Sequence, residues 1–459
     1  MSLQFITGNS GNGKTKYLFN RIVKEAKANP RDNYLVIVPE QFTMQTQRQL
    51  VDLSENKAIM NIDVLSFKRL AYRVFDELGI TNLTVLEETG KNLVLRKLAA
   101  QEADKLGVIG RNLNRIGYIS EVKSLLSELV QYNISPEELG RYIASGRLSD
   151  TLSDKLKDVL VLYEAFEKFM QDKYITAEEI LNVLSNVAEE SAILRNSVIA
   201  FDEFTGFTPI QNQLIKKLFV ISKKIYVTLT IDCREDIFKS RGMQELFDMP
   251  KRTVKSLTEM AAFYGIEVEE PIILDKNYRL AENEELSFME QQLFRKRRGS
   301  FKKAPKHIHI DCLRDPKQEL TKIARRINEL VRNENLRYRD IAIVTGDVNI
   351  YAGYVREIFD KYNIPYFIDA TQEILFHPFI EFIRSIPDIA AQNFSADAVF
   401  RFLRCGFSEL LDSEIDVLEN YVLACGVRGK SAWDKKWVRL PKHKAGYDIE
   451  LLNQSREYI

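Results

Sequence analysis

The chain has 459 residues, room for roughly two to four domains, and its 45% hydrophobic and 28% charged content is that of an ordinary soluble globular protein. Lys plus Arg and Asp plus Glu each number 65, so no global basic excess exists and a nucleic-acid partner would have to be held by a local surface. The four scattered cysteines (Cys233, Cys312, Cys405, Cys425) argue against a zinc site or a disulfide framework.

No apolar run reaches the roughly 18 residues of a membrane span, and no signal peptide precedes the first strand. The expected setting is the cytoplasm, with no membrane partner. In chain order, residues 3–7 (LQFIT) read as a buried strand leading into Gly8-Asn9-Ser10-Gly11-Asn12-Gly13-Lys14-Thr15. This meets the pattern G-x-x-x-x-G-K-[ST] in full, and the helical pattern from Lys14 onward completes strand, loop and helix. Glycines let successive N–H groups face phosphate oxygens at the positive end of a helix. Lys14 is expected to neutralise the β- and γ-phosphates, and Thr15 to place its hydroxyl on Mg²⁺. The plain alternative is a glycine turn between strand and helix.

The next strand signal, Tyr34 to Val38, closes at Pro39-Glu40-Gln41. Then follow Ile62 to Phe67 and a helix from Lys68 to Leu78. Strands alternating with helices imply a parallel sheet covered on both faces, with ligands at the carboxyl ends of the strands. Glu40, Gln41 and Ser66 lie just past those ends, either on the nucleotide side or serving turns and caps. Residues 86–190 carry apolar residues at spacings of three and four, as in KNLVLRKLAAQEADKL and SDKLKDVLVLYEAFEKFMQDK, and read as an all-helical insertion.

Beyond it, residues 197–203 (SVIAFDE) form an apolar strand ending in Asp202-Glu203. Asp202 is the candidate Mg²⁺ ligand and Glu203 the candidate general base. Two exposed carboxylates at a strand end are the bland alternative. The long separation of Thr15 from Asp202 disfavours a simple nucleotide kinase and favours an α/β motor domain with a helical insertion.

From here several stretches resemble superfamily 1 helicases. Asp202, Glu203 and Gln211 are in register with the D-E-x-Q-D-x-x-x-x-Q motif, though Thr205 and Gly206 replace its glutamine and second aspartate. Ser66-Phe67 resembles the T-x-H-S-F segment that touches single-stranded DNA, and Leu274 to Arg279 resembles L-x-x-N-Y-R, whose arginine reaches the γ-phosphate. No clear counterpart of the G-D-x-x-Q motif falls near Thr228 to Asp232. More narrowly, Gly8 to Thr15, Val38-Pro-Glu-Gln41, V-L-S-F-x-R-L and D-E-F-T-G-F-T-P-x-Q are similar to the B subunit of the bacterial AddAB helicase–nuclease.

That resemblance implies an α/β fold of the P-loop, RecA-like kind. Residues 1–85 and 191–300 would form a first ATP-binding motor domain around the 86–190 insertion. Residues 301–380 would begin a second motor domain, and residues 381–459 would belong to its helical insertion, leaving the chain as an N-terminal fragment. It implies ATP and Mg²⁺ as cofactors, with an iron–sulfur cluster and a nuclease only in a C-terminal part this sequence does not contain. It implies single-stranded DNA and duplex ends as substrates, a heterodimer with the A-subunit helicase–nuclease, a part in recombinational double-strand break repair and help in recognising Chi. The implied site has Lys14, Glu203 and Arg279 in catalysis, Gly8 to Thr15 and Gln211 at the nucleotide, Thr15 and Asp202 at the metal, and Ser66, Phe67 and Arg69 at DNA. The motif departures leave ATP binding firmer than hydrolysis, and a nucleotide-binding DNA scaffold without motor activity stands as the alternative. The basic run from Phe294 to Lys303 reads as a solvated linker or as a phosphate contact.

Overall fold

The computed structural model describes residues 1–81, 84–108, 110, 117–146, 148–171, 173–295, 299–370, 374–441 and 447–459. They fall into two compact units, Met1–His309 and Ile310–Ile459.

The first unit opens with β1 (Ser2–Gly8), α1 (Lys14–Ala28), β2 (Tyr34–Ile37), α2 (Thr43–Leu53), β3 (Ile62–Leu65) and α3 (Phe67–Leu78). A helical layer follows: β4 (Val85–Leu86), α4 (Glu88–Gln101), α5 (Tyr118–Gln131), α6 (Pro136–Ala144), α7 (Asp150–Met170), β5 (Ile175–Thr176) and α8 (Ile180–Val187). The chain then returns to the sheet as β6 (Val198–Phe201), α9 (Pro209–Ile221), β7 (Lys224–Thr230), α10 (Asp248–Phe263), β8 (Glu267–Val268), β9 (Ile272–Leu274) and α11 (Glu284–Gln292).

The main sheet runs β3-β2-β6-β7-β1-β8, with β9 also on β1, and every pairing is parallel. Its strands are apolar on both faces because helices cover both. Leu3 and Phe5 of β1 face a core shared with α3, α9 and α10, whereas Ile6 faces the core beneath α1 and α2. Alternate residues of one strand thus anchor two helical layers.

The helical layer keeps its own core, from Leu95 to Met170, in which Leu162 is fully buried. Lys91, almost wholly buried on α4, is held there by Glu178 at 2.7 Å and Glu88 at 2.8 Å. Helix α8, within the stretch read from sequence as insertion, instead contributes Ile180 and Leu184 to the sheet core. Among the described residues no helix is long and apolar enough to cross a membrane.

The second unit contains α12 (Pro316–Asn333), α13 (Val348–Lys361), α14 (Pro378–Ala391), α15 (Ala396–Leu403), α16 (Asp412–Cys425), α17 (Lys430–Trp433) and α18 (Ile449–Glu457). Helices α12 and α13 share one small core and α15, α16 and α18 another, the latter closed by Trp433 and Trp437. No paired strand occurs among its described residues. The apolar run at residues 341–344 stays unpaired, with Val344 exposed, because a strand forms only where a neighbour accepts its hydrogen bonds.

Candidate nucleotide site

The loop after β1 lies at the carboxyl end of the sheet, and close packing forces its glycines. A Cβ on Gly11 would stand 2.7 Å from Asn277 Oδ1 and 2.8 Å from Arg279 Cβ, at a φ of +89° that side chains resist. A Cβ on Gly8 would stand 2.6 Å from the Leu274 carbonyl oxygen. The segment after β9 therefore clamps the loop. Asn277 Nδ2 donates to Ser10 O at 3.0 Å, Tyr278 N to Gly11 O at 3.0 Å, and Asn12 Nδ2 to Leu274 O at 2.5 Å.

Beside the loop opens a cavity of about 780 Å³, lined among others by Lys14, Thr15, Asp202, Glu203, Tyr278 and Arg279. Lys14 Nζ donates to Gly8 O at 3.0 Å and Asn9 O at 3.1 Å. Burial pushes its pKa down, against the pull of Glu203 and Asp202. An anion in the cavity would favour the charged form that burial disfavours.

Strand β6 delivers Asp202, 1% exposed, beside Thr15. Thr15 Oγ1 lies 3.3 Å from Asp202 Oδ1 and 3.4 Å from Glu203 Oε1. Thr228 on β7 also donates to Asp202 Oδ1, while Asp202 Oδ2 is buried with no hydrogen-bond partner. Burial raises the Asp202 pKa, with Glu203 adding to the rise and Thr228 and Thr15 opposing it. A hard cation with oxygen ligands fits this arrangement: one lone oxygen of a buried carboxylate and a hydroxyl beside it.

Glu203 has a φ of +64°, unusual for a residue with a side chain. That turn separates it from buried Asp202 and leaves its carboxylate exposed at the cavity. Strain of this kind costs about 1–3 kcal/mol and persists only where surrounding structure imposes it. Arg279 is exposed at the rim, Nη1 3.5 Å from Ser10 Oγ.

The structure thus brings together Gly8 to Thr15, Asp202, Glu203 and Arg279. It does not bring Gln211 to the cavity. Gln211 is the third residue of α9, and its Oε1 accepts from Thr208 N at 2.9 Å while Thr208 caps the helix in return. The carboxamide oxygen of the residue expected at the nucleotide is engaged in a capping box.

The residues expected at DNA are also engaged internally. Phe67 is 7% exposed, stacked on Phe201 at 5.8 Å and edge-on to Phe204 at 5.5 Å, so its ring offers no free face. Ser66 caps α3 and donates to Glu40, and Arg69 pairs with Glu40 at 3.3 Å while remaining half exposed. Of the basic run, residues 296–298 lie outside the described set. Arg295 is neither solvated nor free, since it binds Asp232 at 3.0 Å and Glu290 at 3.2 Å.

Sequence reasoning missed Thr228 and gave no role of their own to Asn277 and Tyr278, which it read only as part of the L-x-x-N-Y-R segment. The signal for Thr228 was present: a hydroxyl amid apolar residues in KIYVTLT, on the strand beside β6. Tyr278, 65% exposed, presents a ring at the cavity rim close to Gly13.

Fold and site together define a mixed α/β protein whose parallel sheet carries a glycine loop and a buried acidic partner at one edge of a cavity. The family model described as "ADDB, N-terminal" matches residues 5–290, more than half of the chain. A protein of Lachnoclostridium phytofermentans, named as the B subunit of an ATP-dependent helicase/deoxyribonuclease, is 39% identical over the whole chain. Proteins of the same name from Caldanaerobacter subterraneus subsp. tengcongensis and Clostridioides difficile are 34% and 33% identical, again over the whole chain. The chain spans 40%, 39% and 40% of the length of these three relatives. It belongs to the AddB family, the B subunit of the helicase–deoxyribonuclease.

Proposed function

We propose that this chain is the ATP-binding, motor-like part of a DNA end-resecting helicase–nuclease. The observation that carries the reading is the lone buried oxygen of Asp202 beside Thr15 and the desolvated ammonium of Lys14. An unpaired carboxylate oxygen and a desolvated cation are each costly, and one Mg²⁺–triphosphate would relieve both. The order β6-β7-β1, with one strand between the glycine-loop strand and the acidic strand, supports reading residues 1–85 and 191–300 as a RecA-like motor domain. Residues 301–380 would begin a second such domain.

In this reading the loop's N–H groups and Lys14 grip the β- and γ-phosphates. Thr15 and Asp202 hold Mg²⁺, which neutralises the developing phosphate charge when bound. Glu203 orients a water and accepts its proton. Arg279 reaches the γ-phosphate from the rim, and the exposed face of Tyr278 offers a platform for the base. DNA, a heterodimer with the A-subunit helicase–nuclease, Chi recognition, double-strand break repair and a cytoplasmic setting are extended to this chain from its resemblance to the family.

A nucleotide-binding DNA scaffold without motor activity is the second reading. It is favoured by Thr205, which stands where the helicase motif has glutamine and whose carbonyl is tied to Thr253 at 3.1 Å. ATP turnover with and without single-stranded DNA separates the two, measured on the protein at its relatives' full length with Glu203→Gln as control. DNA-stimulated turnover abolished by Glu203→Gln supports the motor, and nucleotide binding without turnover supports the scaffold.

A further inference from the structure

Arg295 turns inward from the basic run through an unusual backbone step. Phe294, which precedes it, has a φ of +57° and a side chain 80% exposed. A bulky aromatic residue resists this conformation, and an exposed one gains little from it. What the turn achieves is to aim Arg295 at two carboxylates on different elements. Nε donates to Asp232 Oδ2 at 3.0 Å and Nη2 to Glu290 Oε1 at 3.2 Å, while the guanidinium carbon lies 4.8 Å from the Phe247 ring centroid. The Arg295 side chain is only 10% exposed.

The chain of contacts does not end at Glu290. The same Oε1 accepts from Asn9 Nδ2 at 2.9 Å, and Asn9 is 6% exposed with its own Oδ1 buried and unpartnered. The Asn9 carbonyl in turn receives the Lys14 ammonium. Three bonds therefore link Asp232, the second residue past the end of β7, to Asn9, the second residue of the glycine loop.

We propose that Arg295 is a positioning residue of the nucleotide site, fixing through Glu290 the Asn9 peptide against which Lys14 is held. Arg295 does not line the cavity, so any effect on a nucleotide there would run through the residues it holds. Its guanidinium suits this role because a planar fork bonds two carboxylates at once, which an ammonium does less well. Without it, Glu290 loses its counter-charge, is drawn toward water, and lets Asn9 go. The proposal deepens the nucleotide reading and rests on it for its effect on affinity, though not for the loop's geometry.

The test compares hydrogen exchange of the 8–15 loop amides in the nucleotide-free 459-residue chain, alongside affinity for a fluorescent ATP analogue. Arg295→Ala should speed loop exchange while leaving the α7 amides unchanged, and should weaken the analogue about tenfold or more. Arg295→Lys should fall between. Phe294→Gly, which relieves the left-handed strain and keeps the guanidinium, should leave the loop protected. In an Asn9→Ala background, Arg295→Ala should add little, since both changes cut one chain of bonds. Should Arg295→Ala fail to fold, Glu290→Met, which keeps the length and removes the acceptor for both Asn9 and Arg295, makes the same comparison. Unchanged loop exchange in the folded variants, or fully additive losses with Asn9→Ala, overturns the proposal. If the wild-type chain binds no nucleotide, the site reading falls, and the exchange comparison still decides the relay.

Discussion

Thr228 on β7 and Thr15 on α1 both donate their hydroxyls to Asp202 Oδ1, just past the neighbouring strand β6, while Asp202 Oδ2 is buried without a hydrogen-bond partner. Two hydroxyls thereby occupy one oxygen of the carboxylate and leave the other for a ligand. The pairing of β6 with β7 brings the two side chains together, so the sheet itself sets the chemistry of the site.

Replacing Thr228 with Val should cost about 1.5–3 kcal/mol of stability, the worth of a buried hydrogen bond to a charged group. Thr228→Ser should recover most of it. Denaturant unfolding of the nucleotide-free chain measures the difference, and equal stability of the Val and Ser variants would remove the assigned role.

Asp202→Asn should stabilise the empty chain while weakening Mg²⁺-dependent nucleotide binding. Burial raises the Asp202 pKa, so the fold disfavours the ionised form of this carboxyl. The neutral amide removes that penalty, so the Tm of the nucleotide-free chain should rise. A fall in Tm on calorimetry would contradict this.

Phe67→Ala should act first on stability, by about 3–5 kcal/mol, because its ring is packed among Phe201, Phe204 and Phe207. Arg69→Ala, at a half-exposed pair, should change stability by less than about 1 kcal/mol. Unfolding curves check both. A Phe67→Ala chain as stable as wild type would mean the ring is free for a ligand after all.

Burial alone would raise the Asp232 pKa, but hydrogen bonds from Arg234 and Arg295 overrule it and hold the carboxylate far below its usual range. A depressed acid stabilises the fold above its unfolded pKa, near 3.9, and loses that contribution as pH falls toward the folded value. The stability gap between wild type and Arg295→Ala should therefore stay level from pH 7 to about 5 and shrink only in stronger acid. A gap that closes between pH 7 and 5 would point to another group.

The parts legible in the sequence were those whose chemistry sits in contiguous residues. Gly8 to Thr15 and Asp202-Glu203 carry strand, turn and charge in short stretches, and the structure brings Ser10, Gly11, Gly13, Lys14 and Thr15 to one cavity with Asp202 and Glu203. T-P-x-Q serves a capping box as readily as a ligand, and in the structure Gln211 Oε1 makes the box. The burial of Phe67 depends on three phenylalanines from a distant segment, which local pattern cannot supply. Arg295 read as a surface charge because its partner Asp232 lies 63 residues away. The apolar run at 341–344 shows the same limit: hydrophobicity permits a strand, but pairing makes one.

The most direct measurement is titration of the 459-residue chain with a fluorescent ATP analogue, with and without Mg²⁺, beside Lys14→Ala and Asp202→Asn. Saturable binding strengthened by Mg²⁺, lost in Lys14→Ala and no longer responsive to Mg²⁺ in Asp202→Asn, is the predicted result. Binding that is absent, or indifferent to all three changes, would contradict a nucleotide site at this loop.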